Sequence, residues 1–223
     1  MTGRRLVIFD VDGTLVDSQA HILGAMTHAF RSCGLTPPGR TETLGIVGLS
    51  LPVAVARLAP DASAEAVEAL VAAYKGAFSQ MRAEALSPLY PGARAALATL
   101  AGDPLLALGI ATGKSRRGLD HVLAGHGISG WFETIQVADD HPSKPHPSMV
   151  EAALAETGIP AERAVMVGDT TYDVEMARAA GVAAIGVGWG YHPATALAGA
   201  GATDVLAGFD ALVPALDRVL GRG

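Results

Sequence analysis

The chain has 223 residues, half of them hydrophobic, which is enough for one sizeable core or a core with a small second lobe. Its formal net charge is −6 and it has no basic block, which argues against nucleic acid or an anionic membrane as a partner. A single cysteine, Cys33, excludes an internal disulfide and fits a reducing cytosol.

The N-terminal MTGRRLVIFD has two arginines and then only four apolar residues before an acid. That run is too short for a signal peptide or a membrane span, so a cytoplasmic protein is expected. Residues 6–9 are strand formers without alternation, as in a parallel strand covered on both faces. The run ends in Asp10 and Asp12, with Gly13 and Thr14 behind them. From about residue 17 to 88 the pattern is helical only. Ile22, Met26, Phe30 and Cys33 recur at helical spacing, as do Val67, Leu70, Val71, Tyr74, Phe78 and Met81. Between them lies the glycine-containing GIVGLSLPVAVARLAP. This interval is far longer than a usual strand-to-helix connection and reads as an inserted helical lobe. The expected division is therefore a core of 1–16 and 89–223 with a helical cap domain over 17–88. Cys33 and the Met and Phe residues of the insert read as its core, not as a cofactor site. SPLYPG supplies the turn for the chain's return.

Later strands are predicted over 105–111, 135–138, 164–167 and 183–187, with a short run at 204–206. Helical patterns alternate with them. GLDHVLAGHG puts Leu119, Val122 and Leu123 on one face, and SMVEAALAETG does so with Met149, Val150, Ala153 and Leu154. DVEMARAAG and FDALVPALDRVLG follow. Alternating strand and helix predicts an α/β fold, a doubly wound, Rossmann-like and mostly parallel sheet carrying the helical insert.

Ligands of such a sheet bind beyond the carboxyl ends of its strands. There the sequence places Asp10, Asp12, Gly13 and Thr14, then Thr112, Gly113, Lys114 and Ser115, then Asp139, Asp140 and Lys144, then Gly168, Asp169, Thr170 and Asp173. Carboxylates on separate loops without a Cys/His cluster describe a site for a hard cation such as Mg²⁺. Without one, Asp10, Asp12 and Asp169 would repel one another and at least one would tend to hold a proton. Thr112 and Lys144, with backbone N–H groups around Gly13 and Gly113, suit an anion. Metal, phosphate and a spare carboxylate together point to phosphoryl transfer with aspartate as nucleophile. Plainer readings are assigned elsewhere. Asp10 to Gly13 lacks the later acids of a calcium loop, and GVGWGY lacks the glycine spacing of a dinucleotide site. His146 shapes its loop and His192 is a turn residue. Arg116 and Arg117 lie on a solvated helix face, and Asp139 and Asp140 cap or shape a loop.

FDVDGTLVDS resembles the first motif of the haloacid-dehalogenase-like hydrolases, IATGKS the second, KPHP the third and GDTTYD the fourth, in the family's order along the whole chain. LYPG and AGVAAIGVGWGYHP are similar to the phosphoglycolate-phosphatase-like branch, whose helical cap lies between the first and second motifs. The resemblance implies a Mg²⁺-dependent phosphatase acting on a small phosphorylated metabolite, with 2-phosphoglycolate the leading candidate. Asp10 would attack phosphorus, and Asp12 would protonate the leaving oxygen and then deprotonate water. The side chains of Asp10 and Asp169 and the backbone carbonyl of Asp12 would hold the metal, braced by Asp173. Thr112 and Lys144 would bind the phosphoryl group. Relatives that cleave carbon–halogen bonds lack the second acid, so Asp12 argues for a phosphate ester. Position 113 is Gly where many relatives carry Asn, so any contact from that Asn is absent. Cap contacts are expected in GIVGLSL. The same motifs also serve pyrophosphatases, nucleotidases, sugar-phosphate phosphatases and a β-phosphoglucomutase-like isomerase. A metal-binding interaction protein on a retired scaffold is the non-enzymatic alternative. Oligomeric state stays open.

Overall fold

A computed structural model describes residues 3–221. Strand β1 (Arg5–Phe9) is followed by four helices, α1 (Gln19–Ser32), α2 (Arg40–Gly45), α3 (Leu51–Leu58) and α4 (Ala64–Glu84). Then come α5 (Ala93–Ala101), β2 (Leu106–Thr112), α6 (Arg116–His126), β3 (Thr134–Val137) and α7 (Ser148–Thr157). The chain closes with β4 (Ala164–Gly168), α8 (Thr171–Ala179), β5 (Ala183–Val187), α9 (Ala194–Ala200), β6 (Asp204–Leu206) and α10 (Leu212–Leu220).

The six strands form one parallel sheet in the order β3-β2-β1-β4-β5-β6, with Phe9 of β1 opposite Ile110 and Val167. β1 is central, and this is why its apolar run is continuous and wholly buried. Side chains alternate across it. Val7 and Phe9 join a cluster with α5, α6 and α10, whereas Leu6 and Ile8 join one with α7, α8 and α9. Burying each such side chain is worth about 1.5–3 kcal/mol. The strand order reverses between β1 and β4, so the loops after these two strands flank the crevice where ligands of this architecture bind.

The insert has an apolar cluster of its own. Ile22, Met26 and Phe30 of α1 meet Leu70 of α4 and Leu44, Val47, Leu49 and Val55 from the segments between. Cys33 packs at its edge, partly exposed. α4 is started by Ser63, whose Oγ accepts from the Ala66 N–H at 3.3 Å. The chain leaves and returns to the sheet as a short pairing. Val16 bridges Leu89, the Asp17 N–H donates to the Pro88 carbonyl at 2.9 Å, and the Tyr90 N–H donates to that of Leu15 at 3.0 Å.

Two helices carried no clear pattern in the sequence. α5 and α9 are alanine-rich, and alanine on both faces blurs the apolar period, although Leu97, Leu100 and Leu197 are buried. β2 and β4 each extend one residue past the predicted ends, to Thr112 and Gly168, because backbone ladders do not depend on apolarity. No helix among the described residues is long and apolar enough to cross a membrane.

Candidate active site

Asp10 still belongs to the sheet by its backbone, since its N–H donates to the Val167 carbonyl at 3.0 Å. The chain then turns tightly, with the N–H groups of Thr14, Leu15 and Val16 all directed to the Val11 carbonyl. Gly13 makes this possible. Its φ is +87°, and a Cβ there would lie 2.2 Å from Asp169 Oδ2, so the turn passes directly under the carboxylate that follows β4.

Four charged groups meet below that turn. Asp10, Lys144, Asp169 and Asp173 are each at most 2% exposed. Lys144 Nζ donates to Asp173 Oδ1 at 2.6 Å and lies 3.0 Å from Asp10 Oδ1, close enough to pair but off the hydrogen-bonding direction. Asp173 Oδ2 accepts from the N–H and Oγ1 of Thr170, at 3.1 and 2.7 Å, within the box that starts α8. Asp169 accepts from Thr14 Oγ1 and from the Tyr191 N–H, both at 2.9 Å. Neither oxygen of Asp10 accepts a hydrogen bond.

Burial pushes the Asp10 carboxyl up to about 6; Lys144 opposes this and Asp173 adds to it. Burial also drives Asp169 well above the usual carboxylate range, with Asp10 and Asp173 adding to the shift. Burial alone would lower Lys144, but Asp10 and Asp173 outweigh it and raise the ammonium. Three buried carboxylates thus face one buried ammonium, and oxygens of Asp10, Asp169 and Asp173 lie within 4.8 Å of one another. The donors are all oxygens, negative charge is in excess, and Asp10 has no partner beyond the Lys144 ammonium beside Oδ1. This set fits a hard divalent cation.

Asp12 faces outward into a cavity of about 570 Å³. It accepts from Ser18 Oγ at 2.5 Å and from Lys114 Nζ, which reaches both its oxygens at 2.7 and 2.6 Å. Lys114 is also 5.1 Å from the ring centroid of Phe78 on α4, so one ammonium touches both the outward acid and the insert. Thr112 ends β2 buried, its Oγ1 accepting from the Lys114 N–H at 3.3 Å. A Cβ on Gly113 would lie 2.6 Å from the Gly48 carbonyl oxygen and 2.7 Å from that of Leu49. The insert's backbone occupies the space that a side chain at position 113 would need, which accounts for glycine there.

The segment containing Gly48 is tied to the core at three further points, one at the start of α8 and two in loops. The Gly45 carbonyl accepts from Tyr172 Oη at 3.0 Å and from His192 Nε2 at 3.2 Å, and the Ser50 N–H donates to Ser143 Oγ at 2.8 Å. His192 Nδ1 accepts from the Thr171 N–H at 3.1 Å, so its proton sits on Nε2, as the bond to Gly45 requires.

Residues 7–187 match the family described as haloacid dehalogenase-like hydrolase. The chain belongs to that family. It is 36% identical over 219 residues to the protein named Probable phosphatase IndB of Dickeya dadantii, covering 96% of this chain and 94% of that one. It is 35% identical over 216 residues to the phosphoglycolate phosphatase of Yersinia pestis, covering 95% and 93%. The crystal structure of a hydrolase from Pseudomonas syringae superimposes with a TM-score of 0.86 at 25% identity, covering 97% of this chain and 99% of that one.

At this haloacid dehalogenase-like site, the structure brings Asp10, Asp12, Gly13, Thr112, Gly113, Lys144, Asp169 and Asp173 to one edge of the sheet. Asp139 lines the cavity's outer part and acts as a cap, its Oδ2 accepting from the Arg116 N–H at 2.7 Å, and His146 braces its loop by accepting from the Ser148 N–H at 3.2 Å. Four contributors were given no role by the sequence. Lys114 was placed beyond β2, but its pairing with Asp12 was not foreseen. Ser18 precedes α1, but its hydroxyl makes no capping bond and donates to Asp12 instead. Tyr191 and His192 sit in GVGWGYHP, which carried part of the resemblance and in which His192 was expected to be a turn residue. Their value lies in contacts with Asp169 and Gly45, far away in sequence.

Proposed function

We propose that this protein is a metal-dependent phosphatase that hydrolyses a small phosphomonoester through an aspartyl phosphate on Asp10. The observation that carries the reading is the state of Asp10, buried beside an ammonium with no hydrogen bond to either oxygen. Free buried carboxylate oxygens are costly, and they persist where a ligand completes them. One oxygen is then available to phosphorus and the other to a cation. Mg²⁺ would be held by the side chains of Asp10 and Asp169 and the backbone carbonyl of Asp12, with Asp173 bracing Lys144 alongside. When bound, it would offset charge on the phosphoryl oxygens.

The chain's own groups supply the rest. Asp10 attacks phosphorus while the bond to the leaving oxygen breaks, and Asp12 gives that oxygen its proton. Water then attacks the phosphorus of the acyl phosphate, Asp12 takes the water's proton, and Asp10 is restored as phosphate departs. Lys144, Thr112 Oγ1 and the amides around Gly13 and Gly113 hold the phosphoryl oxygens, and positioning of this kind is most of what phosphoryl transfer needs. Ser18 and Lys114 fix the direction of Asp12. Residues 17–88 act as a cap over the core of 1–16 and 89–223, and the 45–50 segment closes the site against water. Among substrates, 2-phosphoglycolate leads, supported by the relatives that carry that name. A cytoplasmic setting is supported by the lone cysteine.

The test is release of phosphate from p-nitrophenyl phosphate and from a panel of phosphorylated metabolites, with Mg²⁺ and with chelator. Turnover should need the metal and vanish in D10N. D12N should fall by about 10²–10⁴-fold. A fluoroberyllate adduct should sit on Asp10. Turnover that survives D10N, or an adduct on another residue, would end this reading.

A further inference from the structure

The cavity beyond Asp12 carries more positive charge than the phosphoryl site uses. Lys75 and Arg82 of α4 and Arg117 of α6 line it, and their charged heads have no hydrogen-bond or ion-pair partner among the described residues. Some cations elsewhere are spent, as Arg218 is on Asp204 and Arg57 on Tyr172, but what sets these three apart is that they line one cavity. The cavity's outer acid, Asp139, already accepts from the Arg116 N–H, so it is one committed carboxylate against three uncommitted cations.

Their placement is ordered. Lys75, Phe78 and Arg82 follow i, i+3, i+7 spacing and so share one face of α4. Tyr74 stacks on Phe78 at 5.7 Å between centroids, forming an aromatic wall beside them. Arg82 reaches across to the core. Its Nη1 lies 3.8 Å from where a Cβ on Gly118 would be, at the first turn of α6, where Arg117 also sits. The cavity beyond Asp12 therefore brings together Lys114, Phe78 and the three cations. Lys114 is committed to Asp12. A two-carbon leaving group would fill only a small part of this space. The cavity's volume of about 570 Å³ falls within the roughly 300–1,000 Å³ that holds drug-sized ligands, so it has room for more.

We propose that the substrate's leaving group is longer than glycolate and ends in a second anion, which Arg82, Arg117 and Lys75 bind while its middle lies along Phe78. This rests on the phosphatase reading and puts a longer acid in place of 2-phosphoglycolate, the substrate that the relatives' names support. Arginine suits the task because its planar fork pairs with carboxylate or phosphate through two hydrogen bonds.

The experiment compares kcat/KM for ω-carboxyalkyl phosphates, from the two-carbon to the six-carbon acid, with their neutral methyl esters. The preference for acid over ester should grow with chain length to about tenfold or more and shrink as salt is added. R82M/R117M should cut the preference about tenfold, and R82K should keep part of it. Because the ratio is read within one variant, partial loss of folded enzyme cancels. R117M alone, on an exposed side chain, serves if the double variant does not fold. The proposal is overturned if acid and ester are used equally at every length, or if the preference peaks at two carbons and survives R82M/R117M. In either case the esters and p-nitrophenyl phosphate still turn over. If none of them does, the phosphatase reading falls and this subsite falls with it.

Discussion

The buried carboxylate cluster and the cap-facing seam are built in opposite ways. In the cluster, Asp10, Asp169, Asp173 and Lys144 come from segments anchored at strand ends, and each is sealed from water. At the seam, the insert meets the core through backbone carbonyls and a few single hydrogen bonds, Gly45 with Tyr172 and His192, and Ser50 with Ser143. Charge placed in the cluster is therefore held hard and is costly to unbalance. Contacts at the seam are individually small and can be exchanged, which suits the closure proposed for residues 17–88.

The largest effect should come from unbalancing the cluster. K144M leaves Asp10 and Asp173 buried without their ammonium, and removal of one partner from a buried pair costs about 3–5 kcal/mol. Urea unfolding of the metal-free protein at pH 7 measures it. A loss below 1 kcal/mol would mean that water already reaches these groups, and the contrast with the seam would fail.

D10N acts on the same cluster with the opposite sign. The folded carboxyl of Asp10 sits near 6, above the ordinary value of 3.8, because burial disfavours its charge. Between about pH 4 and pH 6 the native state therefore binds more protons than the unfolded one, so stability of the metal-free protein falls as pH rises through that window. The raised Asp169 contributes in the same direction. Above the window the cost is fully present, and a neutral isostere removes it. Metal-free D10N should be more stable than wild type at pH 7, by up to about 3 kcal/mol, while losing all activity. Scanning calorimetry from pH 4 to 8 should show a flatter profile for D10N, and Mg²⁺ should stabilise wild type more at pH 7 than at pH 5. An unchanged slope in D10N would show that Asp10 is not the group responsible.

The same division governs what could be read from the sequence. Asp10, Asp12 and Asp169 were legible because each lies just past an apolar strand, and a parallel sheet brings all such ends to one edge; Lys144, farther along its loop, was legible with the KPHP motif. Lys114 was placed at the same edge, but nothing in the sequence showed that it pairs with Asp12. Only the approach of Phe78 from a helix in the insert makes its position meaningful. Tyr191 and His192 were hidden for a similar reason. Gly113 was visible only as a departure from the resemblance, and its explanation lies in the Gly48 and Leu49 carbonyls. Strand ends are local features, whereas seam contacts depend on how two separately packed clusters meet.

G113A tests the seam directly. Its methyl group would lie 2.6 Å from the Gly48 carbonyl oxygen, so either the insert shifts or the overlap costs about 1–3 kcal/mol. The seam is held by single bonds, so the insert should shift. KM should rise about tenfold with little change in the midpoint of unfolding. A midpoint drop with KM unchanged would place the seam among the rigid parts of the molecule.

Y172F should give the smallest effect and the finest reading of the same question. The Tyr172 hydroxyl donates to the Gly45 carbonyl at 3.0 Å and accepts from Arg57 Nη1 at 2.7 Å. The ring keeps its stacking position beneath Arg57 and beside His192, so the change removes two hydrogen bonds and little packing. His192 Nε2 still reaches the Gly45 carbonyl, so that acceptor is not orphaned and the loss should stay near 0.5–1.5 kcal/mol. If that energy belongs to closure of the insert, it appears as a few-fold rise in KM with kcat and thermal midpoint nearly constant. If it appears in the midpoint instead, the insert and core unfold as one unit and the seam does not open separately. The double variant Y172F/G113A then decides whether the two contacts act on one motion. Shared action makes the two effects on KM less than additive, because a segment already displaced by the methyl group at position 113 has no bond to Tyr172 left to lose.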